Sequence, residues 1–390
     1  MIQSASLFTF EIDDPDAACR DITRQLAEKL RLKKNTAAIM QCDPEYAESG
    51  ISQRICEALS FPVVGSTAIA QATGGACGAF MLTLLVFTSD DVEFVAVRTE
   101  GHSDDFHGSV ERSSAAAVCD LPLKLILAHP PLIDRNSGDD YIDAFRRVYG
   151  SVPVFGALAI EEELVGNTRS ATVYNGEIFH DEMAYLLVFG NVEPRFFVPG
   201  IPPKSNLLEA GIITKSSGSV VYEINGMRAI DFFERLSLAN DGVPSEGIFH
   251  IPFRLSVKMA DGNMSPAFAR GIYGFDEDGA ALCRGAMPEG AVLTIGSNTE
   301  SELLAGATEA VRKINALDDI SAALFYSCIV RRTSFGYNPH IELEAVRTVI
   351  RPGIPFMMSY VGGEIGPITV DDDAYENCFH NFSFIACVLQ

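Results

Sequence analysis

Apolar residues recur along the chain with two periods, and the alternation between them outlines the elements. Over 15–32, Ala18, Ile22, Leu26 and Leu30 return every four residues behind Asp13, Asp14 and Pro15. That pattern predicts a helix with an acidic cap and a proline in its first turn, where a missing N–H does no harm. TAAIM (36–40) reads as a buried strand, and a helix is expected at about 44–59, where Ile51, Ile55 and Leu59 share a face. Further strands are expected at about 62–66, 79–87, 91–98 and 123–129, with helices at about 103–117 and 139–148. Alternation of this kind favours a mixed or parallel sheet covered by helices.

From about 152 hairpins dominate. TVYNGEIF (172–179) sets Asn175-Gly176 between two strand-like arms, and GFDEDGAALCRG (274–285) does the same around Asp278-Gly279. Helices are expected at about 225–239 and 299–316. The second carries Leu303, Leu304, Ala307, Val311 and Ile314 on one face. ALFYSCIV (323–330) reads as a strand ending at Arg331 and Arg332. The fold class that follows is α/β to α+β, two modules with mixed, largely antiparallel sheets flanked by helices. Proline, glycine and serine gather at 199–217 and place the boundary there. The modules are then 35–210 and 211–390, with the helix of 1–34 belonging to the first.

One local device recurs. FPVVGSTA (61–68), VPVFGALA (152–159) and IPFMMSYVGGE (354–364) each run from a proline through a short apolar strand into small residues. Three copies suggest strand ends converging on one crevice, where small residues leave room and expose backbone donors.

Composition narrows the partners. The 390 residues are 47% hydrophobic, and Asp+Glu 52 against Lys+Arg 29 gives a formal charge of −23. Such a surface repels phosphate backbones and anionic membranes, so nucleic acid is excluded as a partner. The first residues, MIQSASLFTFEIDDPD, have no basic region of the kind that opens an export signal. The longest apolar runs, such as GAFMLTLLVF (78–87), reach about half of the ~20 residues a spanning helix needs, so no membrane insertion is expected. Nine cysteines with no C-x-x-C fit reduced thiols in a cytoplasm rather than a disulfide framework or a zinc site.

The usual catalytic motifs are missing: there is no G-x-G-x-x-G entering a helix, no G-x-x-x-x-G-K-[ST], no G-x-S-x-G and no H-E-x-x-H. No catalytic residue and no metal ligand is assigned. Asp371, Asp372 and Asp373 read as a solvated acidic loop, because adjacent side chains point in different directions. In PFMMSYVGGEIGP (355–367), Gly362, Gly363 and Gly366 surround one carboxylate, Glu364. Acid–base catalysis, a turn role and ligand binding are all open to that residue. In the binding reading Gly363 lets backbone approach, Tyr360 lines a cavity and Glu364 takes an ammonium or guanidinium. Arg331 then answers a ligand carboxylate, and the set suits a zwitterion such as an amino acid. Ser66, Thr67 and Gly156, at the ends of two of the recurring strands, and Asn381 of FHNFSF complete the candidates.

FYSCIVRRTSFG, IELEAVRTVI, PFMMSYVGGEIGP and FHNFSFIACVL together resemble the C-terminal module of the FIST family in order and spacing. FPVVGSTA, VPVFGALAIEE, TVYNGEIFHDEMAYLLVFG and VYEINGMRAIDFFERL resemble its N-terminal module, and the likeness runs from about residue 35 to the end. The chain departs from the family where Ser66 stands in place of a frequent cysteine and where Ala70-Gln71 replaces a Gly-Glu pair. The resemblance implies an intracellular, non-catalytic sensor of small ligands, amino acids among them. A sensor filling the chain passes its signal by contact, and a histidine kinase or a cyclic-dinucleotide enzyme is the expected partner. One family branch implies the alternative, a haem-based nitric oxide sensor regulating a histidine kinase, with His250 or His340 as axial ligand. A third alternative is an enzyme acting on a small metabolite.

Overall fold

Local signals place the elements much as the pattern predicts. In the computed structural model Asp14 caps the helix Pro15–Lys29, its carboxylate accepting from the N–H groups of Asp16 and Ala17. Thr299 and Glu302 close a reciprocal capping box on the helix Glu300–Asn315. Asn175 and Gly176 both take positive φ, 52° and 89°, as a two-residue hairpin turn requires. The structure describes residues 1–100, 106–133, 136–161, 169–199, 207–240, 243–244, 251–258, 264, 268–296, 299–371 and 374–390. Three expectations need correction. The helix expected at about 225–239 is confined to Ala229–Arg235, because Asn225 and Gly226 turn the chain at positive φ into the short strand Met227–Arg228. The helix expected at 44–59 is two, Pro44–Glu48 and Ile51–Ala58, because Gly50 turns the chain at φ 77°. The strand expected through 330 ends at Cys328, and Arg331 and Arg332 lie on a short helix, Ile329–Ser334.

Three six-stranded sheets form the body, each built on one parallel pair whose strands are joined by a helical crossover. Asn35–Cys42 pairs with Val63–Thr67, Leu123–His129 with Val154–Ala157, and Ala322–Cys328 with Phe356–Val361. The recurring proline stretches are therefore the second strands of the three pairs. In each, the proline opens the strand by accepting without donating: Pro62, Pro153 and Pro355 take the N–H groups of Ala38, Ile126 and Ala323 at 3.0, 2.9 and 3.0 Å.

Beyond the first strand of each pair lie two antiparallel strands: Leu82–Ser89 then Gln3–Thr9, Ala184–Gly190 then Val92–Arg98, and Phe384–Leu389 then Pro194–Phe197. Beyond the second strand lies a hairpin taken from a different unit. The hairpin of Ile69–Ala72 and Cys77–Gly78 joins Phe356–Val361 of the third sheet. The hairpin of Thr172–Tyr174 and Glu177–Phe179 joins Val63–Thr67 of the first. Glu364–Asp371 and Ala374–His380 join Val154–Ala157 of the second. The exchange is cyclic, so three stretches with the same element order, 3–89, 92–190 and 194–389, are interlocked. The third also carries an inserted seven-stranded sheet whose strands fall between Leu207 and Gly296.

Strand side chains alternate between faces, and this sorts the core. Inward residues from all three sheets meet in one cluster, with Ile39 and Val64 from the first, Leu127 and Phe155 from the second, and Leu324 and Met357 from the third. Outward residues pack under the helices in three further clusters. The inserted sheet folds around its own core, with Phe232, Phe233 and Phe253 at its centre. The protein is thus α+β with mixed, largely antiparallel sheets. No helix among the described residues is long and apolar enough to cross a membrane.

Candidate functional site

Toward the C-terminal ends of the parallel pairs the inward positions change from apolar to polar at one level in all three sheets. Gln41, His129 and Tyr326 occupy it on the first strands of the pairs, each two residues beyond an inward Ile39, Leu127 or Leu324. Across the first sheet the register continues from Gln41 to Ser66 and Thr172. In the third it runs from Tyr326 to Ser359 and Gln71. In the second, Ala157 pairs with Glu364 of the exchanged hairpin. All of these residues are almost completely buried.

The layer is bonded only in part. The Gln41 amide reaches Ser66 Oγ at 3.2 Å and His129 Nδ1 at 3.1 Å, so Nδ1 accepts and the ring proton belongs on Nε2. The His129 and Tyr326 rings meet edge to face at 6.3 Å, and Tyr326 stacks on Phe155 at 5.4 Å. Among the described residues five buried polar atoms of the layer have no partner in good hydrogen-bond geometry: His129 Nε2, Ser359 Oγ, Gln71 Oε1, Tyr326 Oη, which lies beside the Gln41 amide, and Glu364 Oε1, whose carboxyl lies beside the Cys328 thiol. Buried polar groups are nearly always paired, because each unmade hydrogen bond costs about 1–3 kcal/mol. Five of them at one level of one core distinguish this layer from the apolar levels beside it.

Burial also holds the layer neutral. Desolvation pulls the His129 ring down to about 3 and pushes the Tyr326 hydroxyl up. Glu364 is pushed well above the usual carboxylate range by burial, against the opposing pull of the Ser383 N–H, 3.3 Å from Oε2, and of the Arg331 charge.

The other expected site residues fall in different places. Arg331 lies behind the third sheet, under the helices, where Nε reaches Ser327 Oγ at 3.2 Å and Glu342 Oε1 at 3.1 Å. Its Nη2 bonds Leu303 O and Glu342, and Ser327 Oγ donates to the second oxygen of that carboxylate at 2.6 Å. Tyr360 faces the same side, in the outer cluster, where burial and the neighbouring Glu342 charge push its hydroxyl up. Arg331 and Tyr360 therefore surround Glu342 on the outer side of the third sheet, whereas Glu364 stands on a strand of the second.

Thr67 Oγ accepts the Ala171 N–H at 3.0 Å and ties down the entry to an exchanged hairpin. Gly156 pairs with Ala128 so closely that a Cβ would lie 1.9 Å from its carbonyl oxygen. At Gly363 a Cβ would lie 2.7 Å from the Phe379 ring. Asn381 follows its strand rather than lying within it; its amide accepts from Gly271 N at 3.3 Å and donates to His380 O at 3.1 Å, linking the inserted sheet to the body. His250 lies outside the described residues, and His340 is half-buried at the start of the helix Ile341–Val349. Neither supplies an observation that fits a haem. Asp372 and Asp373 also lie outside the described residues.

Gln41, Gln71, His129, Tyr326 and Ser359 are absent from the expected site. The signal was a polar residue near the end of an apolar strand, as in TAAIMQC, LKLILAH and ALFYSC. Singly each reads as a satisfied core residue, and only alignment of the three proline-led strands would have set them at one level.

The fold and the layer define a class: an α+β protein of three interlocked sheets around a shared polar centre that fits small-molecule binding. The FIST N domain model matches residues 36–227 and the FIST C domain model residues 229–367, and the chain belongs to the FIST family. FIST domains are associated with sensory, signal-transducing roles and small-ligand binding. No curated protein matches the chain.

Proposed function

We propose that the protein is a small-ligand sensor, that the ligand sits in the central polar layer, and that the signal passes to a separate partner protein. The observation that carries this is the set of five unpartnered polar atoms at one level of the three sheets. Binding fits better than catalysis, since an imidazole held at about 3 has no appetite for a proton at neutral pH. Ser66 and Glu364 belong to this centre. Thr67, Gly156 and Gly363 shape the backbone around it, while Arg331, Tyr360 and Asn381 anchor the neighbouring packing. A zwitterion clamp between Arg331 and Glu364 would require Arg331 to leave Glu342 on the outer side of the third sheet, while Glu364 stands on a strand of the second.

Signal output by contact with a histidine kinase or a cyclic-dinucleotide enzyme rests on the family's sensory association. The test of the site is a thermal-denaturation screen of the full chain against a library of small metabolites, repeated with Gln71→Leu. A ligand at 100 times its Kd stabilises by about 2.7 kcal/mol. The expected result is a hit whose shift disappears in the variant. Hits that shift both proteins equally would place the ligand elsewhere and sink the reading.

A further inference from the structure

The chemistry of the layer restricts what it can hold, and this deepens the functional reading above and rests on it. The unpartnered atoms are of both kinds. His129 Nε2 offers a proton and Gln71 Oε1 accepts one, while the Tyr326 and Ser359 hydroxyls do either. They stand on different sheets, so one molecule that satisfies them must present donors and acceptors in more than one direction.

Charge is the second restriction. Among the described residues no lysine or arginine belongs to the layer, and the buried cation whose charge acts on Glu364, Arg331, is bonded to Glu342, Ser327 and Leu303 on the outer side of the third sheet. A carboxylate or phosphate ligand would enter a buried centre with no cation to meet it. A cationic ligand would meet only Glu364, whose carboxyl is itself buried. Taking an unpaired ion into such a place costs far more than taking a neutral amide or hydroxyl.

The geometry points to an uncharged ligand with hydrogen-bond donors and acceptors on one small polar head, of the carboxamide or urea type, held between Ser359, Gln71, Tyr326 and His129. The head's carbonyl oxygen takes the His129 N–H, and its amide hydrogens reach Gln71 Oε1 and the hydroxyls.

Three planar probes of the same shape and different charge test this: acetamide, acetate and acetamidinium, with glycine as the zwitterion. Each is titrated calorimetrically into the full chain at pH 7, and into the Ser359→Ala and Gln71→Leu variants. The inference expects acetamide to bind at least tenfold more tightly than any charged probe, with a loss of about tenfold in each variant. Acetate, acetamidinium or glycine binding more tightly than acetamide, with the variants weakening it, would overturn the uncharged class and leave the central site standing. No binding by any probe, or acetamide binding untouched by both variants, would overturn the central site as well. Ser359→Ala removes an oxygen that bonds nothing among the described residues, whereas Gln71→Leu also gives up the 3.0 Å bond from Nε2 to Ala68 O, so far-ultraviolet circular dichroism identical to that of the parent chain is required of both before their affinities are compared.

Discussion

Ser359 and Tyr326 illustrate how a buried hydroxyl can be worth less than nothing to stability. Each sits fully enclosed without a well-formed hydrogen bond to its oxygen, that of Tyr326 having only the badly placed Gln41 amide beside it, so the folded protein bears the desolvation without the bond. Ser359→Ala and Tyr326→Phe should therefore each stabilise the ligand-free protein by about 1 kcal/mol in urea denaturation. A loss of stability in both would mean that the hydroxyls are paired after all.

Arg331 is the opposite case. Its guanidinium is bonded to Glu342, Ser327 and a main-chain carbonyl in a dry setting, so Arg331→Ala leaves a buried carboxylate uncompensated. The expected cost is about 3–5 kcal/mol, and the double change Arg331→Met with Glu342→Leu should restore most of it. A mild effect of Arg331→Ala together with weakened ligand binding would instead return Arg331 to the binding site. The sequence shows two arginines beside an apolar strand. It cannot show which face of the sheet they serve, because that depends on the strand ending at Cys328.

At the scale of elements, the parallel pairs govern the three sheets, and Gly65 and Gly156 occupy matching places in two of them. A Cβ at either position would lie 1.9 Å from the neighbouring strand's carbonyl oxygen, that of Met40 or Ala128, a contact only backbone movement could relieve. Gly65→Ala and Gly156→Ala should each cost more than about 3 kcal/mol or prevent folding, read as loss of soluble protein or of a cooperative melt. The third pair has Met358 at the corresponding step from its proline, so glycine is demanded by local strand approach and not by the repeat itself. Helix caps, the Asn175-Gly176 turn and the strand periods were legible because they depend on neighbours in sequence. The exchange of hairpins was not, because the partner of each hairpin lies about 100 residues or more away and no local pattern names it.

For the whole molecule, the buried ionisable groups make opposite demands on pH. His129 and His380 are held neutral by burial, to about 3 and about 4, whereas their ordinary value is 6.5. Below about 6.5 the unfolded chain takes up protons that the folded chain refuses. Stability then falls with pH by about 1.4 kcal/mol per unit for each ring, until the folded values are reached. Glu364 acts in the other sense: its folded value is raised, so the unfolded chain releases that proton first and stability is lost as pH rises above about 4.5 toward the folded value. Glu364→Gln should therefore gain stability relative to the parent chain as pH is raised from 5 to 8, in paired urea titrations. Parallel curves would show that the Glu364 carboxyl ionises freely in the fold.

The same scale holds the link between the inserted sheet and the centre. Arg270, buried on the insert, donates to Phe379 O at 2.9 Å, and Phe379 packs against Gly363, next to Glu364. Asn381, just after the hairpin that carries Glu364, accepts the Gly271 N–H, and Asp139 of the helix Gly138–Tyr149 accepts the Ala286 N–H at 2.7 Å, so the insert is fastened both to that hairpin and to the helix.

By itself the sequence determined the strand and helix periods, the caps and turns, the FIST membership and the recurrence of three proline-led strands, since these are properties of short stretches and their order. Only the tertiary structure decided that the three strands belong to interlocked sheets, that Arg331 and Tyr360 face away from Glu364, and that Gln41, Gln71, His129, Tyr326 and Ser359 stand at one level. The reason is physical: a polar residue in an apolar strand has a meaning only once its face and its neighbours on other strands are known, and strand pairing across distant segments supplies both.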